Sequence, residues 1–256
     1  MKINFDKNLN NNFQPCETNV DYLFPIPFLS GQLKLDHQRV RQDMDRLIDQ
    51  VADRHGDDNL SNYTTYFDGD IREQMHLLPW WTSFVNQMKD TYILFVKNVF
   101  ESDVDYLSRH DIHFFAWMNR YDSHHSHEVH NHVNSLMSGT YYVDVDEDSQ
   151  PIKFFNPSVT TIFGHQAGEN QHQIQQNEKM TYTGTSGSLY DMTFKAQSGD
   201  FALWPSYLMH CVPPDNTQKE SYTRYSISFN LNHSKNLGSY TEGDQMSYDF
   251  LGRESE

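Results

Sequence analysis

Residues 130–143 read HNHVNSLMSGTYYV and join a histidine pair to a segment rich in aromatic and β-branched residues. In a β-strand, residues two positions apart project from the same face, so His130 and His132 are predicted to offer two imidazoles to one metal ion. Residues 139–143 are typical of a strand, and four similar segments lie at residues 114–118, 152–155, 200–204 and 224–229. Five strands without intervening helices predict a β-sandwich or barrel.

The segments before this β-region differ in their periodicity. Residues 36–55 and 79–99 place apolar side chains at helical spacing, and residues 25–35 indicate an outer strand. We therefore predict a mainly β chain with N-terminal helices, of the α+β class. The polar stretch at residues 164–198 is predicted to be a long insertion loop with one short strand at residues 180–183.

The domain organisation predicted from these patterns is simple. Residues 1–20 are expected to be loosely structured, residues 21–235 to form one domain, and residues 236–256 to form a tail. Within the domain, helical support is expected at about residues 36–100, and the β core at about residues 110–232.

Composition limits the partners of this chain. Its formal net charge is −16, with no basic stripe, so nucleic acid is not expected as a partner. The sequence has neither a membrane-length apolar segment nor a secretion signal, which predicts a cytosolic protein without membrane attachment. Its two cysteines are too few for a disulfide scaffold, whereas its 14 histidines are unusually many.

A third metal ligand is expected from farther along the chain. His210 follows the apolar segment 200–204 and a Pro-Ser turn, within a stretch that reads GDFALWPSYLMHCVP over residues 199–213. Arg224 lies in an alternating apolar strand, where a guanidinium needs an anionic partner because an unpaired buried charge is costly. The remaining histidines of the first cluster are predicted to lie in a solvated loop; they are His124, His125 and His127.

Taken in order, these segments resemble the Fe(II)- and 2-oxoglutarate-dependent oxygenases, and more narrowly a prolyl-hydroxylase-like branch common in marine phages and bacteria. The matching stretches are residues 130–143, 156–157, 199–213 and 224–228, within a likeness that spans roughly residues 20–232. The resemblance implies a double-stranded β-helix, a jelly roll of the cupin kind, packed against two or more helices. A phage-encoded member would act in the host cytoplasm.

The resemblance also implies an activity and its cofactors. Fe(II) would be the metal, 2-oxoglutarate the co-substrate and O2 the oxidant, and a small molecule or a protein side chain would be hydroxylated with release of succinate and CO2. The implied metal ligands are His130, His132 and His210. The implied 2-oxoglutarate-binding residues are Arg224, Tyr142, Ser226 and Asn119.

One position departs from the family pattern. Residue 132 is histidine where most of the family has Asp or Glu, so the metal would lose its anionic ligand, and three imidazoles also suit Zn, Cu or Ni. Glu128 has the strand parity of His130 and is an alternative third ligand. Halogenation is not expected, because halogenating members have a small residue at this position.

Two other functions compete with this interpretation. A cupin-type three-histidine metal oxygenase without 2-oxoglutarate would need no role for Arg224. A non-enzymatic jelly roll that binds ligands would need no tight metal. The sequence identifies neither the substrate nor the oligomeric state.

Overall fold

The computed structural model describes residues 26–55, 62–99, 108–133, 135–157, 172–185, 188–214 and 222–233. Its α-helices are α1 (His37–His55), α2 (Gly69–Met75) and α3 (Trp81–Val99). Its strands are β1 (Leu29–Gln32), β2 (Tyr63–Thr64), β3 (Ile112–Asp122), β4 (His127–His130), β5 (Met137–Val145), β6 (Ile152–Phe155), β7 (His172–Gln175), β8 (Met180–Thr185), β9 (Ser188–Phe194), β10 (Asp200–Pro205), β11 (His210–Val212) and β12 (Thr223–His233).

The strands form two antiparallel sheets of six. One sheet has the order β1-β10-β5-β12-β3-β2, and the other has the order β4-β11-β6-β9-β8-β7. The chain moves to the other sheet at each step from β3 to β6 and again at each step from β9 to β12. This alternation is the double-stranded β-helix, so the predicted fold class is confirmed.

Side-chain alternation on the central strands separates two cores. On β5, Tyr141 faces the helices and its ring lies 5.6 Å from that of Phe84 on α3, whereas Tyr142 belongs to the core between the sheets. The ring of Phe114 stacks on that of Phe229 at 5.1 Å on the helix side. The helices therefore cover one face of the first sheet, which leaves its other face to line the space between the sheets.

Most predicted elements lie where the sequence indicated. The helices predicted at residues 36–55 and 79–99 are α1 and α3, and the outer strand is β1 at the edge of its sheet. Helix α2 was not predicted, because seven residues are too few to show a helical period. In the described part of the chain, no helix is long and apolar enough to span a membrane.

The short strand predicted at residues 180–183 lies within β8, whereas the loop predicted for the rest of residues 164–198 is wrong over β7, β9 and the remainder of β8. Residues 172–185 and 188–194 contribute β7, β8 and β9 to the second sheet, and Phe194 is buried against the core. Gln173, Gln175, Thr181 and Thr183 are at least partly solvated, so the apolar alternation that marks a buried strand is absent. The predicted terminal segments, residues 1–20 and 236–256, lie outside the described residues.

Gly139 allows β5 to pack closely against its neighbours. A Cβ atom at this position would lie 2.7 Å from the backbone oxygen of Ala202 and would overlap the ring of Phe229. We predict that Gly139→Ala lowers the free energy of unfolding by about 1–3 kcal/mol, because overpacking displaces a rigid backbone. Urea unfolding measures this loss.

A matched substitution provides the control. Gly69 lies in the first turn of α2, where a Cβ atom would approach only the Arg72 side chain, at 3.8 Å. Gly69→Ala should leave the urea midpoint unchanged or raise it, because alanine favours the helix. An equal loss in both variants would contradict the close-packing explanation.

Candidate active site

Three histidine side chains converge between the sheets. Strands β4 and β11 are paired so that His210 lies directly opposite His130. Strand β4 ends at His130, and His132 follows it with its backbone N–H donating to the oxygen of Ser206 at 3.0 Å. One ring nitrogen from each of the three histidines lies within 4.8 Å of the others. The three histidines that were predicted as ligands, His130, His132 and His210, therefore lie close together. They are called the trio below. The prediction that His130 and His132 share one strand is wrong, because β4 ends at His130.

Each histidine of the trio is held through its Nδ1 atom. Nδ1 of His130 donates to the Glu128 carbonyl oxygen at 2.7 Å, and Nδ1 of His210 donates to the Leu208 carbonyl oxygen at 2.9 Å. Nδ1 of His132 donates to Oδ1 of Asn230 at 2.6 Å. Because these partners can only accept, they fix the Nδ1–H tautomer and leave each Nε2 lone pair available for a metal.

Burial keeps the trio neutral. It lowers the pKa of His210 to about 3 and that of His132 to about 4, and it also lowers the pKa of His130. Neighbouring imidazoles add a smaller effect in the same direction for His210 and His132. At neutral pH the three imidazoles are therefore neutral, with one nitrogen free of hydrogen, as metal ligation requires.

A β-bulge explains which other residues of this cluster point inward. Val212 and His210 on β11 pair with His127 and His130 on β4, so three steps on one strand match two on the other. The extra residue in β4 changes which side chains of this strand face the interior. His127 therefore stacks on His130, with ring centroids 4.2 Å apart, whereas Glu128 is exposed and lies outside the metal-binding group found in the described residues.

The prediction of a solvated histidine loop is wrong for two of its three members. His125 is 2% exposed, and its Nδ1 accepts the backbone N–H of Asp122 at 3.0 Å, which closes the turn after β3. His127 is half-buried and lines the same cavity as the trio. His124 is exposed, as expected. No sequence pattern reveals the bulge that turns His127 inward.

Arg224 is buried beside this centre, and none of the described residues provides it with a charged partner. It is 4% exposed, its Nη1 donates to the Gln150 carbonyl oxygen at 2.7 Å, and its guanidinium lies 4.3 Å from the Tyr121 ring centroid. Its Nε has no hydrogen-bond partner, and no carboxylate of the described residues pairs with it. A buried guanidinium in this state favours an anionic ligand.

The other predicted co-substrate residues line the cavity with Arg224. Tyr142 is 2% exposed and its hydroxyl has no hydrogen-bond partner; burial raises its pKa. Ser226 and Asn119 are buried and lie opposite each other on β12 and β3. The Asn119 amide is already engaged, since it accepts from Asn62 at 2.9 Å and donates to Ser228 at 3.0 Å. Trp204, which was not predicted as a site residue, adds a buried Nε1–H that also lacks a partner.

These groups enclose one cavity of about 450 Å³, which includes its opening to solvent. The described residues that line it include an arginine and four histidines but no Asp or Glu. In a chain of net charge −16, such a cavity favours small anions. Its unpaired donors (Arg224 Nε, Tyr142 Oη and Trp204 Nε1) together with the converging imidazoles fit a metal ion and an oxygen-rich anion.

Comparison with known proteins shows which family the β core of this chain resembles. Residues 115–230, which include every predicted site residue, match the model of a family described as "Putative 2OG-Fe(II) oxygenase". This part of the chain is therefore similar to the 2OG-Fe(II) oxygenases, whose cofactors are Fe(II) and 2-oxoglutarate. The resemblance inferred from the sequence is confirmed. No curated protein matches the chain.

Solved structures with a similar fold include a prolyl-4-hydroxylase from Pseudomonas putida, with 12% identity, 81% of this chain and 94% of that chain covered, and a TM-score of 0.46. AviO1 from Streptomyces viridochromogenes Tue57 has 10% identity, coverage of 82% and 90%, and a TM-score of 0.48. IDO from Bacillus thuringiensis has 9% identity, coverage of 81% and 90%, and a TM-score of 0.47.

The Asn230 side chain anchors one arm of the trio. Its Oδ1 accepts from His132 and also from the hydroxyl of Ser138 at 2.8 Å. We predict that Asn230→Ala weakens Zn(II) binding by about 10- to 100-fold, because the His132 ring loses its orientation and tautomer. Competition with a chromogenic chelator measures the affinity.

Asn131→Ala is the matched control, because Asn131 is exposed between two members of the trio. Its Zn(II) affinity should equal that of the unmodified protein. Equal affinities in the Asn230 and Asn131 variants would contradict the anchoring role of Asn230.

Proposed function

We propose that the protein is a 2-oxoglutarate-dependent hydroxylase in which His130, His132 and His210 hold Fe(II) through their Nε2 atoms. Arg224 and Tyr142 would bind the distal carboxylate of 2-oxoglutarate, with Ser226 and Asn119 beside it. The observation that supports this most strongly is the buried guanidinium of Arg224, whose Nε has no hydrogen-bond partner, in the cavity that contains the three imidazoles.

The strand register supports one orientation of the co-substrate. Along the β12–β3 ladder, Arg224 lies opposite Tyr121, Ser228 lies opposite Trp117, and Asn230, which anchors His132, is farther along. The charged end and the metal end of the cavity are thus separated along the strands. A dicarboxylate with one end at the metal and the other at Arg224 matches this arrangement.

Bound Fe(II) and 2-oxoglutarate supply the oxidising chemistry of the family, in which 2-oxoglutarate and O2 give succinate and CO2 as a substrate C–H bond is oxidised. The protein would contribute position and exclusion of water. Arg224 and Tyr142 would orient the co-substrate, and the trio would hold the metal in a fixed position. The buried aromatic side chains of Trp117 and Trp204, which line the cavity, would exclude water from a bound metal.

The substrate would approach from the end opposite Arg224. The Trp117 ring lies 5.7 Å from the His132 ring, and Tyr66 packs edge-on against Trp117 at 5.0 Å. Phe67 packs against Tyr66 and is 81% exposed. This aromatic surface favours an apolar portion of a small molecule or of a protein side chain.

A neutral trio changes the electrostatics of the proposed centre. With His132 in place of a carboxylate, the three ligands would leave the charge of a divalent ion uncompensated, and no acid stands among the described residues that line the cavity. The negative charges of 2-oxoglutarate would then balance both the metal and Arg224. Metal and co-substrate are therefore expected to strengthen each other's binding.

Two observations weigh against the alternatives. A three-histidine oxygenase that uses no 2-oxoglutarate leaves the unpaired Arg224 side chain without an anionic ligand. A jelly roll that only binds ligands does not account for three imidazoles whose Nδ1 atoms are all tethered.

We predict that Arg224→Gln weakens 2-oxoglutarate binding by about 10- to 100-fold, because a charged hydrogen bond to the carboxylate is lost. Anaerobic calorimetry on Zn(II)-loaded protein measures this affinity without turnover. Arg109→Gln is the control, since Arg109 is exposed and pairs with Asp90. Unchanged affinity in the Arg224 variant would contradict the proposed co-substrate site.

Tyr142→Phe should have opposite effects on stability and on binding. Removing a buried hydroxyl that has no partner should raise the free energy of unfolding of the ligand-free protein by about 1 kcal/mol, because the desolvation cost disappears. The same change should weaken 2-oxoglutarate binding by about 3- to 10-fold, because one donor is lost. Urea unfolding and calorimetry measure the two effects, and a loss of stability would contradict the unpaired state of the hydroxyl.

A further inference from the structure

His127 lies beside the trio but is held differently. Its Nδ1 is 3.0 Å from the hydroxyl oxygen of Tyr121, whereas each Nδ1 of the trio meets an oxygen that can only accept. A hydroxyl can donate as well as accept. The tautomer of His127 therefore depends on which way the Tyr121 hydrogen points.

The surroundings of Tyr121 decide that direction. Tyr121 is buried, and within the part of the chain that the structure describes its hydroxyl has no acceptor other than His127. If His127 donated, the Tyr121 O–H would be left without an acceptor, which is costly in a buried site. The Arg224 guanidinium lies over the Tyr121 ring and interacts with its hydroxyl group, so the hydroxyl oxygen is favoured on the side of this cation and the hydrogen on the side of His127. The Tyr121 hydroxyl therefore donates to Nδ1, and the hydrogen of His127 resides on Nε2.

This tautomer makes His127 a donor and not a metal ligand. A neutral imidazole with hydrogen on Nε2 has no lone pair there, and His127 is not part of the group of converging ligand atoms. His127 lines the cavity between His130 and Arg224. Its ring stacks on that of His130, and its hydrogen-bond partner Tyr121 contacts Arg224. Its remaining donor has no protein partner among the described residues.

We propose that His127 is a further co-substrate-binding residue, whose Nε2–H donates to a carboxylate oxygen of 2-oxoglutarate while Tyr121 holds its tautomer. This inference rests on the proposed function, since it requires the dicarboxylate to lie between the metal and Arg224. His127 would thereby join the residues predicted to bind the co-substrate. The β4 bulge would contribute to co-substrate binding, because it turns the His127 side chain inward.

The test measures two affinities on the same Zn(II)-loaded protein under anaerobic conditions. His127→Phe keeps an aromatic ring against His130 but removes the donor, and it should weaken 2-oxoglutarate binding by about 10-fold. His127→Asn, which restores a side-chain N–H, should recover part of that loss. Tyr121→Phe should weaken 2-oxoglutarate binding less than His127→Phe does. It keeps the His127 side chain and removes only the hydrogen bond that fixes its tautomer.

Zn(II) affinity separates the explanations. It should change by less than about 2-fold in His127→Phe, because His127 is not a ligand. A large loss of Zn(II) affinity would overturn the proposal by making His127 a ligand, and unchanged 2-oxoglutarate affinity would overturn it by removing the contact. If the unmodified protein binds Zn(II) but not 2-oxoglutarate, the proposed function itself fails, and this inference fails with it.

Discussion

The buried positive charge of Arg224 between the two sheets is the constraint on which the site depends. None of the described residues pairs an anion with Arg224, and the imidazoles beside it are neutral and bring no negative charge to a metal. Such an arrangement favours a bound anion, because a buried charge needs compensation. The fold maintains it with carbonyl contacts and aromatic faces, so a dianionic ligand would gain from every group that is left unpaired.

The double-stranded β-helix brings distant parts of the chain to this cavity. Pairing of β4 with β11 joins His130 to His210, and pairing of β12 with β3 sets Arg224 beside Tyr121. Helices cover the other face of the first sheet and bury the alternate side chains of the same strands. Packing and function therefore share strands: Tyr141 stabilises the helix layer, whereas its neighbour Tyr142 points a free hydroxyl into the cavity.

Much of this arrangement follows from residue patterns. The positions of β5, β10 and β12, the two long helices and the grouping of His130, His132 and His210 were all predicted from alternation, helical spacing and family resemblance. The bulge in β4 was not, because a bulge depends on pairing with a distant strand and leaves no local signal; for this reason His127 was expected in solvent and Glu128 was considered as a ligand. Strands β7 and β9 were missed, and β8 was predicted only over residues 180–183, because the polar residues of this segment resemble a loop.

The direct test of the account is an anaerobic titration of the metal-free protein with Fe(II) and then with 2-oxoglutarate, followed by visible absorbance. We expect a weak metal-to-ligand charge-transfer band that forms only when both Fe(II) and 2-oxoglutarate are present. Three imidazole ligands would leave room on the metal for the keto acid group of 2-oxoglutarate. Stoichiometric Fe(II) binding without a band on addition of 2-oxoglutarate would contradict the account, and so would the absence of Fe(II) binding.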